Sequence, residues 1–211
     1  LNKRRGLNNR TVLSMYEDIL GNLWLGHNNG LSALELNMPF TMISEQIGLP
    51  GTGYDAHLFD KRMYLGTNNG LYSKGLDEET YNFIKNTEGQ VYTIQQIGNL
   101  KLLGHHKGTF LIKGTTTEQI SDILGAWTFL PLKDNPNYII GGTYKGLLLF
   151  RKKNNNDLKF VRKIRGFEES SRVMQQDEDG NIWMTHGYKG VYKLSLNNQL
   201  DSVFVKFYGA D

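Results

Sequence analysis

Three histidines stand at corresponding places in a recurring pattern of the sequence. His27, His105 and His186 each follow a short apolar run, and a glycine closes the stretch within four residues. Imidazole nitrogens bind zinc when three of them reach about 2 Å from one ion. Equivalent positions of neighbouring repeats are usually too far apart for this, and Thr67 and Thr143 occupy the same place in two further copies. The pattern favours a turn-capping or polar, ligand-facing role over a metal site.

Other chemistry-like stretches lack the context that their chemistry needs. The glycines of 142–146 precede an apolar strand-like run, whereas a phosphate loop is G-x-x-x-x-G-K-[ST] leading into a helix. The stretch 51–56 (GTGYDA) fits a dinucleotide-binding pattern but follows Pro50 and precedes no helical periodicity. The acidic run 177–181 is too short for a calcium-binding EF-hand loop. We therefore predict no catalytic residue, no metal and no other cofactor.

Composition narrows the class of protein. The chain has 211 residues, 39% of them hydrophobic, with 24 glycines, no cysteine and a net charge of +3. These values predict a folded core, exclude disulfides and thiolate sites, and do not indicate nucleic-acid binding. No apolar run approaches the ~20 residues that span a bilayer. Because the chain begins with Leu1 rather than Met, we expect it to be a segment of a longer protein.

The sequence contains five copies of one pattern. WLGHNNGL at 24–31 returns as YLGTNNGLY at 64–72 and, more weakly, as LLGHHKGTFLI at 102–112 and IGGTYKGLLLF at 140–150. The last copy, IWMTHGYKGVYKL at 182–194, has one extra turn residue. The copies recur about every forty residues, and their closing glycines are Gly30, Gly70, Gly108, Gly146 and Gly190.

Each copy predicts four short strands, because branched and alternating apolar segments are separated by glycine and asparagine turns. Four-stranded units at this spacing are typical of β-propeller blades. We predict an all-β fold of about five blades, with approximate boundaries 6–47, 48–86, 87–123, 124–165 and 166–208. The large residues Trp24, Tyr64, Leu102, Ile140 and Trp183 are predicted to fill the core between blades, and Gly26, Gly66, Gly104 and Gly142 to permit close packing.

Two stretches carry a family resemblance. YEDILGNLWLGHNNGL at 16–31 and QQDEDGNIWMTHGYKGVYKL at 175–194 resemble the two-component regulator propeller repeat. That repeat has an acidic residue, a turn ending Gly-Asn, a tryptophan between apolar residues, Gly-Thr and a Gly-apolar-Tyr hairpin. The third copy lacks the tryptophan and the fourth lacks the Gly-Asn turn.

The resemblance implies a setting and partners. Such repeats form periplasmic sensor regions of hybrid two-component histidine kinases in Bacteroides-type gut bacteria, which commonly sense carbohydrate breakdown products. It implies a non-catalytic sensor segment in the periplasm, a parent anchored in the inner membrane, and contacts with further propeller and membrane-proximal domains. Since family propellers usually have seven blades, we expect a partial propeller. The apolar outer strand SVFVKFY at 202–208 would expose a free edge and favour self-association.

Residues that differ between copies are the candidates for ligand binding. Propeller topology places the segment entering each first strand on the same face as the turn after the second strand. Aromatic and polar residues there suit sugars, and arginine suits uronate or sulfate. The predicted ligand-binding residues are Arg10, Tyr54, Asp55, Tyr92, Trp127, Arg172, His27, His105 and His186. Alternatively, Tyr92 or Trp127 packs between blades, and the chain is a dimerisation module or a propeller lyase or glycosidase.

Overall fold

The computed structural model describes residues 7, 11–36, 43, 45 and 48–209. The chain divides into two compact units, residues 1–50 and residues 51–211. The described residues form nineteen β-strands. None of the described segments is a helix with the length and hydropathy needed to cross a bilayer.

The first unit contains a three-stranded antiparallel sheet. Its strands are β1 (Ser14–Glu17), β2 (Leu23–His27) and β3 (Gly30–Leu34), which pair in chain order. The sequence predicts a fourth strand at 39–47, and most of that stretch lies outside the described residues.

The second unit consists of four antiparallel sheets of four strands each. Neighbouring strands of each sheet are consecutive in the chain, because short turns link each strand to the next. The strands are β4 (Gly53–Phe59), β5 (Arg62–Thr67), β6 (Leu71–Gly75), β7 (Asn82–Phe83), β8 (Val91–Ile97), β9 (Leu100–His105), β10 (Gly108–Lys113), β11 (Thr116–Ser121), β12 (Thr128–Pro131), β13 (Tyr138–Thr143), β14 (Gly146–Asn154), β15 (Asp157–Ile164), β16 (Val173–Gln176), β17 (Ile182–His186), β18 (Gly190–Leu196) and β19 (Val203–Tyr208).

Both faces of the inner sheets are buried, so alternate residues enter different cores. Leu103 packs with the sheet that precedes its own, while Leu102 packs with the sheet that follows. In the same way, Ile139 enters the core that contains Leu102, while Ile140 enters a third core. Burying a side chain of this size contributes about 1.5–3 kcal/mol.

The first strands of consecutive sheets lie side by side, with β4 contacting β8, β8 contacting β12 and β12 contacting β16. Sheets stacked face to face with their first strands adjacent are propeller blades. The all-β propeller fold predicted from the sequence is confirmed.

The repeated glycines meet two geometric requirements. Gly70 closes a hairpin at a φ of +145°, a conformation that other residues rarely adopt. At Gly142 a Cβ atom would lie 2.1 Å from the Ser171 carbonyl oxygen of the next sheet. Gly30, Gly108, Gly146 and Gly190 share the positive φ of Gly70. Gly66 and Gly104 approach the next sheet as Gly142 does, whereas a Cβ atom at Gly26 would meet the Ser14 hydroxyl of its own sheet.

The two repeat tryptophans are a correction to the sequence prediction. Tyr64, Leu102 and Ile140 are buried between sheets as predicted, but Trp24 is 41% exposed and Trp183 is half-buried. Trp183 stacks on Tyr208 of its own sheet, since no described sheet of this unit covers that face.

Each tryptophan has a carboxylate partner in the turn before its strand. The indole N–H of Trp24 donates to Asp18 at 2.9 Å, and that of Trp183 donates to Asp177 at 2.8 Å. These bonds lower the pKa of both carboxyls, that of Asp18 to about 2.

Candidate functional site

In the second to fifth copies, the histidine or threonine of the repeat caps the hairpin after the second strand. His105 accepts the backbone N–H of Lys107 on Nδ1 at 3.0 Å, and His186 accepts that of Tyr188 at 3.3 Å. Thr143 does the same for Lys145 at 3.2 Å through its hydroxyl. A histidine nitrogen or a threonine hydroxyl supplies an acceptor for the turn, which explains why the copies alternate between histidine and threonine.

The ring nitrogens of two of these histidines are used inside the fold. His27 is held between the Thr11 carbonyl at 2.8 Å and the Ser32 hydroxyl at 2.9 Å. His105 is fully buried, and its Nε2 donates to the Thr87 carbonyl at 3.3 Å. Burial lowers the pKa of His105 to about 4, so it is neutral at physiological pH. Among the described residues, no group of three His, Asp or Glu side chains could hold a metal ion.

A cleft of about 360 Å³ opens along the first strands of the second unit. It is built from all four sheets, because each first strand or the segment entering it contributes side chains. The cleft is lined by Tyr54, Tyr92, Thr93, Trp127, Thr128, Arg172, Val173, Met174 and Gln175.

Aromatic rings form one wall of this aromatic cleft. The ring centroids of Tyr92 and Trp127 are 4.0 Å apart, and Tyr54 lies edge-on to Tyr92 at 6.1 Å. Tyr54 is 49% exposed and offers its ring to solvent. Burial, together with a hydrogen bond to the Tyr144 hydroxyl, raises the pKa of Tyr92. The wall therefore presents the exposed ring of Tyr54, and the Tyr92 hydroxyl stays protonated.

Tyr144 is a residue that the sequence analysis missed. It lies in the hairpin between β13 and β14, 5.5 Å from the Trp127 ring and hydrogen-bonded to Tyr92. Its ring rests on Gly125, where a Cβ atom would lie 2.1 Å away. Variation between the copies could have identified it, since the equivalent turn position holds Asn68 or His106 in other copies.

Arg172 closes the other side of the cleft. Its guanidinium carbon lies 4.8 Å over the Trp127 ring, a cation–π arrangement. The side chain is exposed, and no carboxylate stands among the described residues that line the cleft.

Asp55 has a different role from its neighbour Tyr54. Its Oδ2 accepts the backbone N–H of Ile94 at 2.7 Å and the Thr93 hydroxyl at 3.2 Å. These bonds tie β4 to β8, so the carboxylate is occupied within the fold.

The structure therefore sorts the predicted ligand-binding residues into two groups. Tyr54, Tyr92, Trp127 and Arg172 converge on the aromatic cleft. The remaining described residues do not line it, and these are Asp55, His27, His105 and His186. Arg10 lies outside the described residues.

A comparison with family models identifies the type of repeat. Residues 6–29 match the family model of the two component regulator propeller. The resemblance seen in the sequence is confirmed. The matched propeller repeat includes β1, β2 and the turn in which Asp18 accepts the Trp24 indole. A comparison with curated proteins gave no match.

Solved structures show the same fold over nearly the whole chain. Two structures of the extracellular domain of BT4673 from B. thetaiotaomicron are 15% identical to this chain with a TM-score of 0.57. One describes that protein as a hybrid two component system and the other as a one component system. The matches cover 95% and 98% of this chain, but 33% and 34% of theirs. This chain thus spans about a third of their length.

Proposed function

We propose that this chain is a non-catalytic, ligand-binding segment of an extracytoplasmic sensor, with a carbohydrate fragment as its ligand. The observation that carries the proposal is the convergence on one cleft of aromatic rings and hydroxyls from three consecutive sheets and of Arg172 from the fourth. The C–H face of a sugar ring packs on such aromatic faces, while its hydroxyls bond to polar groups at the edge.

The setting of the proposed sensor comes from its relatives. The propeller-repeat match and the likeness to extracellular domains of two component systems support a periplasmic location. We place the segment in a parent that is anchored in the inner membrane and signals to a histidine kinase of a hybrid two-component system. The kinase lies elsewhere in that parent, so this segment only binds and transmits.

The position of the cleft suggests how binding becomes a signal. A ligand there touches the first strands of four sheets, so it favours one arrangement of those sheets over others. A ligand shifts a conformational equilibrium by its difference in affinity for the two states. The selected arrangement then acts on the adjoining propeller and membrane-proximal domains of the parent.

Titration calorimetry with a panel of oligosaccharides tests the proposed function. At least one glycan class should bind the chain, and Trp127→Ala should weaken that binding about tenfold or more, as loss of a buried aromatic anchor does. Tyr54→Ala should weaken it as well, and Tyr54 is exposed enough to be replaced without unfolding the sheet.

Trp183→Phe is the matched control, because Trp183 is an indole outside the cleft. It should leave the affinity unchanged. If no glycan binds, or if Trp127→Ala binds as well as Trp183→Phe, the carbohydrate function is wrong.

One observation favours a second function, a self-association module. Phe204 and Phe207 on the outermost strand β19 are 76% and 49% exposed. Exposed apolar edge strands pair with other chains. The two functions are compatible, since a sensor segment can also dimerise.

A further inference from the structure

We infer that the aromatic cleft selects an acidic sugar, one whose ring bears a carboxylate or a sulfate ester that pairs with Arg172. This inference rests on the proposed function and narrows its ligand class. Carboxylate and sulfate share the chemistry that matters here, namely two or more anionic oxygens spaced for the fork of guanidinium N–H donors.

The guanidinium of Arg172 is already positioned on the cleft wall. Its carbon lies 4.8 Å above the Trp127 ring. Stacking on an aromatic face holds the guanidinium plane and leaves the N–H groups at its edge for a ligand. Less conformational freedom is then lost when an anion binds.

Arg172 also has no anionic partner among the described residues. Arg62 pairs with Glu78 at 2.5 Å and Arg165 with Asp201 at 2.6 Å, whereas Arg151 and Arg162, like Arg172, form no ion pair with the described residues. The only interactions of the Arg172 side chain in the described chain are with the Trp127 ring and, electrostatically, with Tyr92.

The surrounding carboxylates are occupied elsewhere. Glu169 is bound through both oxygens by the Lys189 ammonium at 2.8 Å, and Glu168 by Lys163 at 2.6 Å. The described residues that line the cleft are otherwise uncharged aromatic, hydroxyl, apolar and amide side chains. The described residues that line the cleft therefore carry one net positive charge, on Arg172.

A second donor next to the arginine lacks an acceptor. The indole N–H of Trp127 is buried and has no hydrogen-bond partner among the described residues. A buried donor without a partner is destabilising. That N–H lies in the plane of the indole ring, whereas the guanidinium of Arg172 stacks over the ring face, so this donor is not aimed at an anion that Arg172 holds.

The test compares sugars that differ only at carbon 6. The full chain is titrated with oligosaccharides of galacturonate, of galactose 6-sulfate and of galactose, and with the corresponding gluco series. We expect at least one acidic form to bind about tenfold or more tightly than its neutral counterpart, and the preference to shrink as salt is raised. The carboxylate and sulfate arms show which anion is preferred.

Two variants separate the arginine from general charge effects. Arg172→Gln should bring the ratio of acidic to neutral affinity close to one, and Arg172→Lys should restore only part of that ratio because lysine lacks the planar fork. Arg162→Gln removes an exposed arginine of β15 that does not line the cleft and should change nothing.

Each outcome bears on one of the two proposals. If neutral sugars bind as tightly as acidic ones, or if Arg172→Gln keeps the acidic preference, the inference is overturned while the carbohydrate function stands. If none of the sugars binds, both are overturned.

Discussion

At the scale of single residues, the turn before the second strand is organised around one carboxylate. Asp177 accepts the Asn181 backbone N–H at 2.8 Å and the Trp183 indole at 2.8 Å, and Asp18 makes the equivalent bonds to Asn22 and Trp24. Acid, asparagine and tryptophan of the repeat are thus one hydrogen-bonded unit. The unit shapes the turn and fixes the direction of the indole N–H.

Asp177→Asn should destabilise the second unit in a pH-dependent way. The pKa of this carboxyl is lowered in the folded state, chiefly by the Trp183 bond, so its contribution to stability is present above the unfolded pKa near 4. That contribution is lost as the pH falls through the folded value. Urea unfolding should therefore show a lower midpoint for the variant at pH 7, and the difference should shrink from pH 4 downward.

Asp179→Asn provides the control for that experiment. Asp179 is exposed in the same turn, so its replacement removes the same charge without removing the indole partner. Equal midpoints for the Asp177 and Asp179 variants at pH 7 would contradict the role given to Asp177.

The sequence predicted which residues are candidates for ligand binding better than it predicted the surroundings of their side chains. Tyr92 and Trp127 were found because they differ from their counterparts in other copies, and they lie 4.0 Å apart in the cleft. Asp55 was found by the same criterion, but its carboxylate bonds to Ile94. A sequence pattern gives the face on which a side chain starts, whereas its hydrogen-bond partner depends on the neighbouring sheet.

At the scale of elements, the adjacent first strands form both the structural junction of the sheets and the wall of the cleft. Tyr54 and Asp55 illustrate this, since one ring lines the cleft while the next carboxylate bonds to β8. The pairing of β4 with β5 shifts register between Gly53 and Asp55, and both side chains reach β8, the ring of Tyr54 at Tyr92 and the carboxylate of Asp55 at Ile94.

Asp55→Ala should weaken the junction between β4 and β8 without removing a ligand contact. The variant leaves the Ile94 N–H without its acceptor, and we expect a loss of about 1–3 kcal/mol in the free energy of unfolding. Chemical denaturation measures this loss, and hydrogen exchange should show faster exchange of the Ile94 amide.

Asp55→Asn keeps one carbonyl oxygen as an acceptor and should lose less stability. The interpretation fails if Asp55→Ala unfolds at the same denaturant concentration as the wild type.

The strands themselves followed from the repeat, because glycine turns divide each copy into short apolar segments. The exposure of the tryptophans could not be predicted from the repeat. Position 64 is buried by a neighbouring sheet, whereas Trp183 at the equivalent position is covered only by Tyr208 and its own sheet. Burial of a repeat position depends on which sheet comes next, which the copy itself does not encode.

At the scale of the whole molecule, the outer strands differ in how they are protected. Lys159, Arg162 and Lys163 place charges along β15. On β19 the exposed residues are largely apolar, with Phe204 and Phe207 on opposite faces. Charged side chains discourage edge pairing, so β19 is the outer strand best suited to pair with another chain.

Phe204→Lys should reduce self-association of the chain. It adds a charge to the exposed edge strand, and sedimentation velocity across a concentration series should show a shift from dimer toward monomer. Gln119→Lys adds the same charge to the polar strand β11 and should leave the distribution unchanged. A wild-type chain that stays monomeric at high concentration would contradict the prediction.

The central claim is that the cleft around Trp127 binds the ligand, and the indole N–H signals in a nuclear magnetic resonance spectrum test it most directly. The chain has three tryptophans, of which only Trp127 lines the cleft, so Trp24 and Trp183 serve as internal references. On titration with an acidic oligosaccharide that binds in calorimetry, the Trp127 signal should move and saturate with the calorimetric affinity while the other two stay in place. Movement of the Trp183 or Trp24 signal with Trp127 unchanged would contradict the account.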